Sequence, residues 1–102
     1  MEYEFRDGRI FVHRTVEEKA RIVDRLKKIE GQVRGVQQMI EDSRYCLDEV
    51  QQANAIVAAM RQVEILIIED HLNAGMDFAV KSKDINAAVK DMMAVLRAAV
   101  RR

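Results

Sequence analysis

The stretch that decides the fold is residues 15–41, TVEEKARIVDRLKKIEGQVRGVQQMIE. Thr15-Val16-Glu17-Glu18 has the form of a capping box, in which the threonine hydroxyl and the glutamate carboxylate satisfy each other's free amides. From there Ile22, Leu26, Ile29, Val33, Val36 and Ile40 recur at alternating steps of four and three. That spacing lays apolar side chains along one narrow seam of a helix, whereas a strand would alternate every second residue. A helix over about Val16–Glu41 follows.

Asp42-Ser43 interrupts the seam, with Ser43 placed to cap a second helix. Leu47, Val50, Ala53, Val57, Met60, Val63 and Ile67 carry that helix to about Ala74, with Gly75 as its expected terminator. Val63–Ile68 is apolar on most sides except at Glu64, which calls for more than one covering neighbour. Ser82 or Asp84 then caps a third helix, with Ile85, Val89, Met92, Leu96 and Ala99 as its expected buried stripe. Residues 1–14 read differently. Tyr3-Glu4-Phe5-Arg6 and Arg9-Ile10-Phe11-Val12 flank Asp7-Gly8, the signature of a hairpin with a two-residue turn. Tyr3 would oppose Val12 and Phe5 would oppose Ile10. Because an isolated hairpin is marginal in water, this one is either docked or mobile. The fold class is all-α: an N-terminal extension, 1–14, precedes one helical domain, 15–102.

Helices of about 26 and 30 residues span about 40 and 45 Å, whereas a compact domain of this size has a radius of gyration near 13 Å. One long helical hairpin and one short helix cannot cover these seams, so dimerisation into a four-helix bundle is expected. No run of about 18 apolar residues marks a membrane span. The first residues lack the apolar core of a signal peptide, and the single cysteine suits a reducing compartment, so the chain is expected in the cytoplasm. Seventeen basic residues balance seventeen acidic ones, but unevenly. Lys19, Arg21, Arg25, Lys27, Lys28 and Arg34 outnumber Asp24 and Glu30 over 19–40, while 41–77 is acidic. Arg21, Arg25 and Lys28 share one stripe at i, i+4 and i+7, a candidate DNA face or an ordinary solvated one.

Cys46 and His71 are the soft-ligand candidates in the body of the chain. Cys46 follows Ser43 in the first turn of helix 2, where unpaired amides favour the thiolate that binds metals. His71 lies 25 positions on, about 37 Å away along a continuous helix. The two cannot meet within one subunit. In an antiparallel pair of helices 2, Cys46 of one chain faces His71 of the other, with the dyad near Ala58-Ala59 and two equivalent sites per dimer. An inert thiol and a packed histidine are the alternative.

The run Arg25-Leu26-Lys27-Lys28-Ile29-Glu30-Gly31-Gln32-Val33-Arg34-Gly35-Val36 resembles the helix 1 signature of the copper-sensitive operon repressor family. Asp42-Ser43-Arg44-Tyr45-Cys46 and Ile68-Glu69-Asp70-His71-Leu72 resemble its two effector-site motifs. The resemblance spans residues 15–100 and implies a three-helix protomer, an antiparallel dimer and a dimer-of-dimers homotetramer. It implies a repressor that binds double-stranded operator DNA and lets go when its effector binds. Cys46 and His71 match the family's ligands from opposite subunits, Tyr45 its neighbouring tyrosine, and Asp91 a position linking the site to helix 3. Arg25 and Lys28 match basic positions that contact DNA, with Arg21 and Arg34 as further candidates.

One departure is clear. Four residues after His71, where copper sensors of this family carry a second cysteine, this chain has Gly75; Met76 or His13 are candidates to complete the site. The resemblance implies Cu(I) as the regulatory ligand, with Ni(II), Co(II) or formaldehyde as alternatives and a non-sensing helical oligomer as a further one. Persulfide sensing, which needs two cysteines, is disfavoured. An enzyme is not expected, because Cys46 and His71 have no third orienting group and no evident oxyanion hole.

Overall fold

The computed structural model describes residues 1–101, in the order β1 (Glu2–Arg6), β2 (Arg9–His13), α1 (Val16–Glu41), α2 (Cys46–Ser82) and α3 (Ile85–Val100). The capping box that opens α1 is complete: the Glu18 amide donates to Thr15 Oγ1 at 3.1 Å and the Thr15 amide to Glu18 Oε1 at 2.8 Å. At the other end Ser43 is left-handed, with φ 52°, and the Arg44 amide donates back to the Met39 carbonyl at 3.0 Å. Ser43 therefore closes α1 instead of capping α2. The cap of α2 is Tyr45, by its backbone alone, which makes Cys46 the first helical residue.

Helix α2 is longer than expected. It runs through Gly75 for 37 residues and closes at Lys83, itself left-handed with φ 62°. Gly75 fails as a terminator because it serves another purpose. It is buried where α2, α3 and β2 meet, and a Cβ there would lie 2.7 Å from Met92 and 3.5 Å from Ile10. Asp84 caps α3, its Oδ1 accepting from the Ala87 amide at 3.2 Å, while the Ser82 hydroxyl donates to the Phe78 carbonyl within α2.

The core between α1 and α2 is Ile22, Ile29 and Val63, flanked by Leu26, Ile56, Ala59 and Leu66. Only part of the α1 seam is used, since Val33 and Ile40 stay exposed. On α3 the buried residues are Ala88 and Asp91. Ile85 and Val89 of the expected stripe remain exposed, because it is Ala88 and Asp91 that α3 turns inward. The molecule measures 58 × 30 × 18 Å with a radius of gyration of 17.9 Å, well above the ~13 Å of a compact domain this size. Among the described residues, no helix is long and apolar enough to cross a membrane.

The hairpin has the expected register, Tyr3 opposite Val12 and Phe5 opposite Ile10, and it is docked. The Phe5 and Phe78 rings stack at 4.3 Å, Ile10 is buried, and the Tyr3 hydroxyl donates to Asp77 Oδ2. That bond holds the Asp77 carboxyl below its usual range, with Lys81 adding to the effect, and raises the Tyr3 hydroxyl. Asp77 therefore lends stability that is complete above about pH 4 and lost as pH falls. The Tyr3 contribution is complete below about pH 10 and lost as pH rises. Docking, followed by the proton shifts of the Phe5 and Phe78 rings, should be tightest between those limits, and Tyr3→Phe should flatten both flanks. Ile10→Ala, which empties the buried position, should cost about 2–5 kcal/mol by chemical denaturation.

Candidate functional site

His71 sits on the C-terminal half of α2, facing α3. Its Nε2 lies 2.9 Å from Asp91 Oδ2, with both side chains largely buried. The same carboxylate oxygen accepts the Ile10 amide at 3.1 Å. Although the His71–Asp91 separation is short, Nε2 has no aligned hydrogen-bond partner: the pair is close in space but the ring is turned off the carboxylate. Nε2 is thus enclosed beside the Asp91 carboxylate. One residue earlier, Asp70 pairs with Arg14 at 2.8 Å, which fastens the end of the hairpin beside the histidine. Asp91 is accordingly the point where α2, α3 and β2 meet.

Cys46 is exposed at the start of α2. Since α2 is continuous from Cys46 to His71, the 25 intervening steps separate them by about 37 Å but bring them within about 20° of one direction around the helix axis. Val50, Val57, Met60 and Ile67 lie along the side of α2 that joins them, all exposed. Among the described residues, no three His, Cys, Asp or Glu side chains of one chain are gathered where they could hold a metal.

The other candidates are dispersed. Tyr45 is exposed next to Cys46, its carbonyl accepting from the Asp48 and Glu49 amides. His13 is exposed at the end of β2, 3.1 Å from Glu4 Oε2. Met76 is about 140° around α2 from His71 and borders an apolar groove with Val80, Ile85 and Met92. On α1, Arg21, Arg25 and Lys28 are exposed along one stripe, and Arg25 and Lys28 border a hollow with Gln32 and Gln62. Arg34 is exposed about 140° away from that stripe.

Sequence reasoning did not find Arg14–Asp70 or the Ile10 amide on Asp91. The only signal for the first was an acid immediately before the histidine. For the second there was none, because a backbone amide carries no sequence mark.

The chain folds as three helices, with a cysteine at the start of the long second helix and a histidine in its C-terminal half, and residues 18–98 match the metal-sensitive transcriptional repressor family. The chain belongs to that family, whose members repress transcription and are not a class of enzyme. Over 85 residues it is 42% identical to the copper-sensing transcriptional repressor CsoR of Bacillus subtilis, covering 83% of this chain and 84% of that one. It is 38% identical over 61 residues to the copper-sensing repressor RicR of Mycobacterium tuberculosis, 60% of this chain and 64% of that one. The structure of the copper-sensing repressor CsoR with Cu(I) from Geobacillus thermodenitrificans superposes with TM-score 0.80 at 42% identity, over 89% of this chain and 95% of that one. The nickel-responsive regulator InrS superposes with TM-score 0.78 at 28% identity, over 85% and 94%. The hairpin lies outside the residues that match the family.

Proposed function

We propose that this protein is a cytoplasmic Cu(I)-responsive repressor. It holds double-stranded operator DNA as a dimer of dimers and releases it when Cu(I) binds between Cys46 of one protomer and His71 of its partner. The observation that carries this reading is the shared face of α2. The antiparallel register that sets Cys46 against His71 also sets Val50 against Ile67 and Val57 against Met60, all four of them exposed in the single chain. One seam thus buries its apolar residues and completes two sites at once. The dyad then falls at Ala58-Ala59, flanked by Val57 and Met60, with Ala59 also packed toward α1 within its own chain.

The donor set fits the ion. Cu(I) is soft and favours thiolate, with imidazole as a suitable second ligand. A bound Cu(I) supplies a bond joining two protomers. Asp91 lies behind His71 Nε2 at 2.9 Å, so ligation falls to the other ring nitrogen, Nδ1, with a carboxylate behind the histidine as is common at metal sites. Because the Asp91 carboxylate also accepts the Ile10 amide, α3 and the hairpin are both joined to the group behind His71. Arg21, Arg25 and Lys28 serve DNA through phosphates and groove shape.

The test titrates the reduced protein–DNA complex with Cu(I), Ni(II), Co(II) and formaldehyde and follows fluorescence anisotropy. Release by stoichiometric Cu(I), with the others ineffective at that level, is expected; a complex indifferent to Cu(I) but released by Ni(II), Co(II) or formaldehyde overturns the copper assignment. Sedimentation should show a tetramer, and a stable folded monomer at micromolar concentration would rule out the shared site.

A further inference from the structure

We propose that the thioether of Met92, on α3, is a third ligand to Cu(I), filling the place that Gly75 leaves open one helical turn beyond His71. The inference rests on the Cu(I) reading of Cys46 and His71, and its test separates the two.

Gly75 follows His71 by four residues, so it lies on nearly the same face of α2, one turn further on. It has no side chain, yet the space beside it is not empty. A Cβ on Gly75 would lie 2.7 Å from both Cγ and Sδ of Met92. The sulfur therefore stands within 2.7 Å of the point where a side chain of residue 75 would begin. Its neighbour in α3 marks the same meeting of helices: Asp91, the residue before Met92, lies 2.9 Å from His71 Nε2. Two consecutive residues of α3 thus meet two consecutive turns of α2, the carboxylate behind the imidazole and the thioether over the glycine.

Several features distinguish this from plain gap-filling. Met92 is only partly buried, so its side chain is not sealed in a core. A methionine has three rotatable side-chain bonds and a polarisable sulfur, which lets it swing onto a ligand without moving the helix. A thioether is also the donor that adds affinity for Cu(I) while offering little to Ni(II) or Co(II), which prefer nitrogen and oxygen. It carries no charge and needs no deprotonation. With the Cys46 thiolate and His71 Nδ1, it makes a set of two sulfurs and one nitrogen. Met76, which is about 140° around α2 from His71, is not so placed.

The experiment uses the full-length tetramer grown in selenomethionine, loaded with Cu(I) and studied by copper X-ray absorption. Wild type and Met76→Leu should both show a selenium scatterer at copper beside one sulfur and one nitrogen; Met92→Leu should lose the selenium and keep the other two. Leucine is close to methionine in volume and is tolerated in packed sites, so the variant separates ligation from packing. In competition with a chromophoric Cu(I) chelator, Met92→Leu should bind at least about tenfold more weakly, the lower bound of what losing even an outer partner of a metal ligand costs. Wild-type copper bound by Cys46 and His71 with no selenium nearby overturns the role of Met92 and leaves the copper reading standing. Wild-type protein that binds no Cu(I), or binds it unchanged after Cys46→Ser, overturns both.

Discussion

A Cys46→Ser oligomer should bind operator DNA as the wild type does and remain bound at Cu(I) concentrations that strip the wild type completely. The thiolate is the one anionic soft donor in the site, so its loss should exceed the roughly 10- to 100-fold that removal of an outer partner costs in metal affinity. DNA binding should be spared, because Cys46 is exposed at the start of α2 and the basic stripe is on α1. His71→Ala should likewise lose the response. The informative result is their mixture. When Cys46→Ser and His71→Ala chains are refolded together, a mixed dimer regains one intact site of its two, because each site takes one residue from each chain. Random pairing makes about half of the dimers mixed, so about a quarter of the wild-type sites should return in a two-fold dimer. Cu(I) binding that recovers on mixing requires a shared site; no recovery, with mixed oligomers demonstrated by mass spectrometry, would remove the inter-subunit geometry. A full Cu(I) response in the Cys46→Ser homo-oligomer would remove the thiolate from the mechanism.

What could be read from the sequence depended on whether the signal was local. The α1 capping box and the Asp7-Gly8 turn are each set by a few neighbouring residues, and both were legible to the residue. The face shared by Cys46 and His71 was legible too, since it needs only their spacing and a continuous helix. Gly75 misled for a physical reason. A glycine late in an apolar helical run reads as a terminator, but here its missing side chain accommodates Met92 and Ile10, which come from elements far away in the chain. Asp91 shows the same limit. The family resemblance put it beside the site, but local pattern alone reads such a carboxylate as exposed, and its approach to His71 and bond to the Ile10 amide come from distant elements. The stripe on α3 was displaced for that reason, leaving Ile85 and Val89 exposed. Local chemistry set the elements; the interactions that build the site are all long-range.

Raising salt from 50 to 200 mM should weaken operator binding by about 10³ if the bound protein neutralises about six phosphates, since each neutralised phosphate releases counterions that the added salt opposes. This is the largest effect expected of the protein as it stands. It follows from how its charge is arranged, because the whole chain is neutral and attraction to DNA must come from one face. Arg21, Arg25 and Lys28 are exposed on such a face of α1, and among the described residues none of the three is within ion-pair distance of a carboxylate. Their charge is therefore available to phosphate. Arg25→Ala and Lys28→Ala should each weaken binding and lower the slope of log affinity against log salt by about 0.9 for every phosphate no longer neutralised. Because each substitution repeats in every subunit on the operator, the change in slope should exceed that of a single phosphate. Arg34→Ala should do much less, since Arg34 points about 140° away from the stripe. None of the three substitutions touches the core of Ile22, Ile29 and Val63, so sedimentation and helicity should be unchanged. If the Arg25→Ala/Lys28→Ala protein remains a tetramer with the wild-type affinity and salt slope, this stripe is a solvated surface and the operator is held elsewhere.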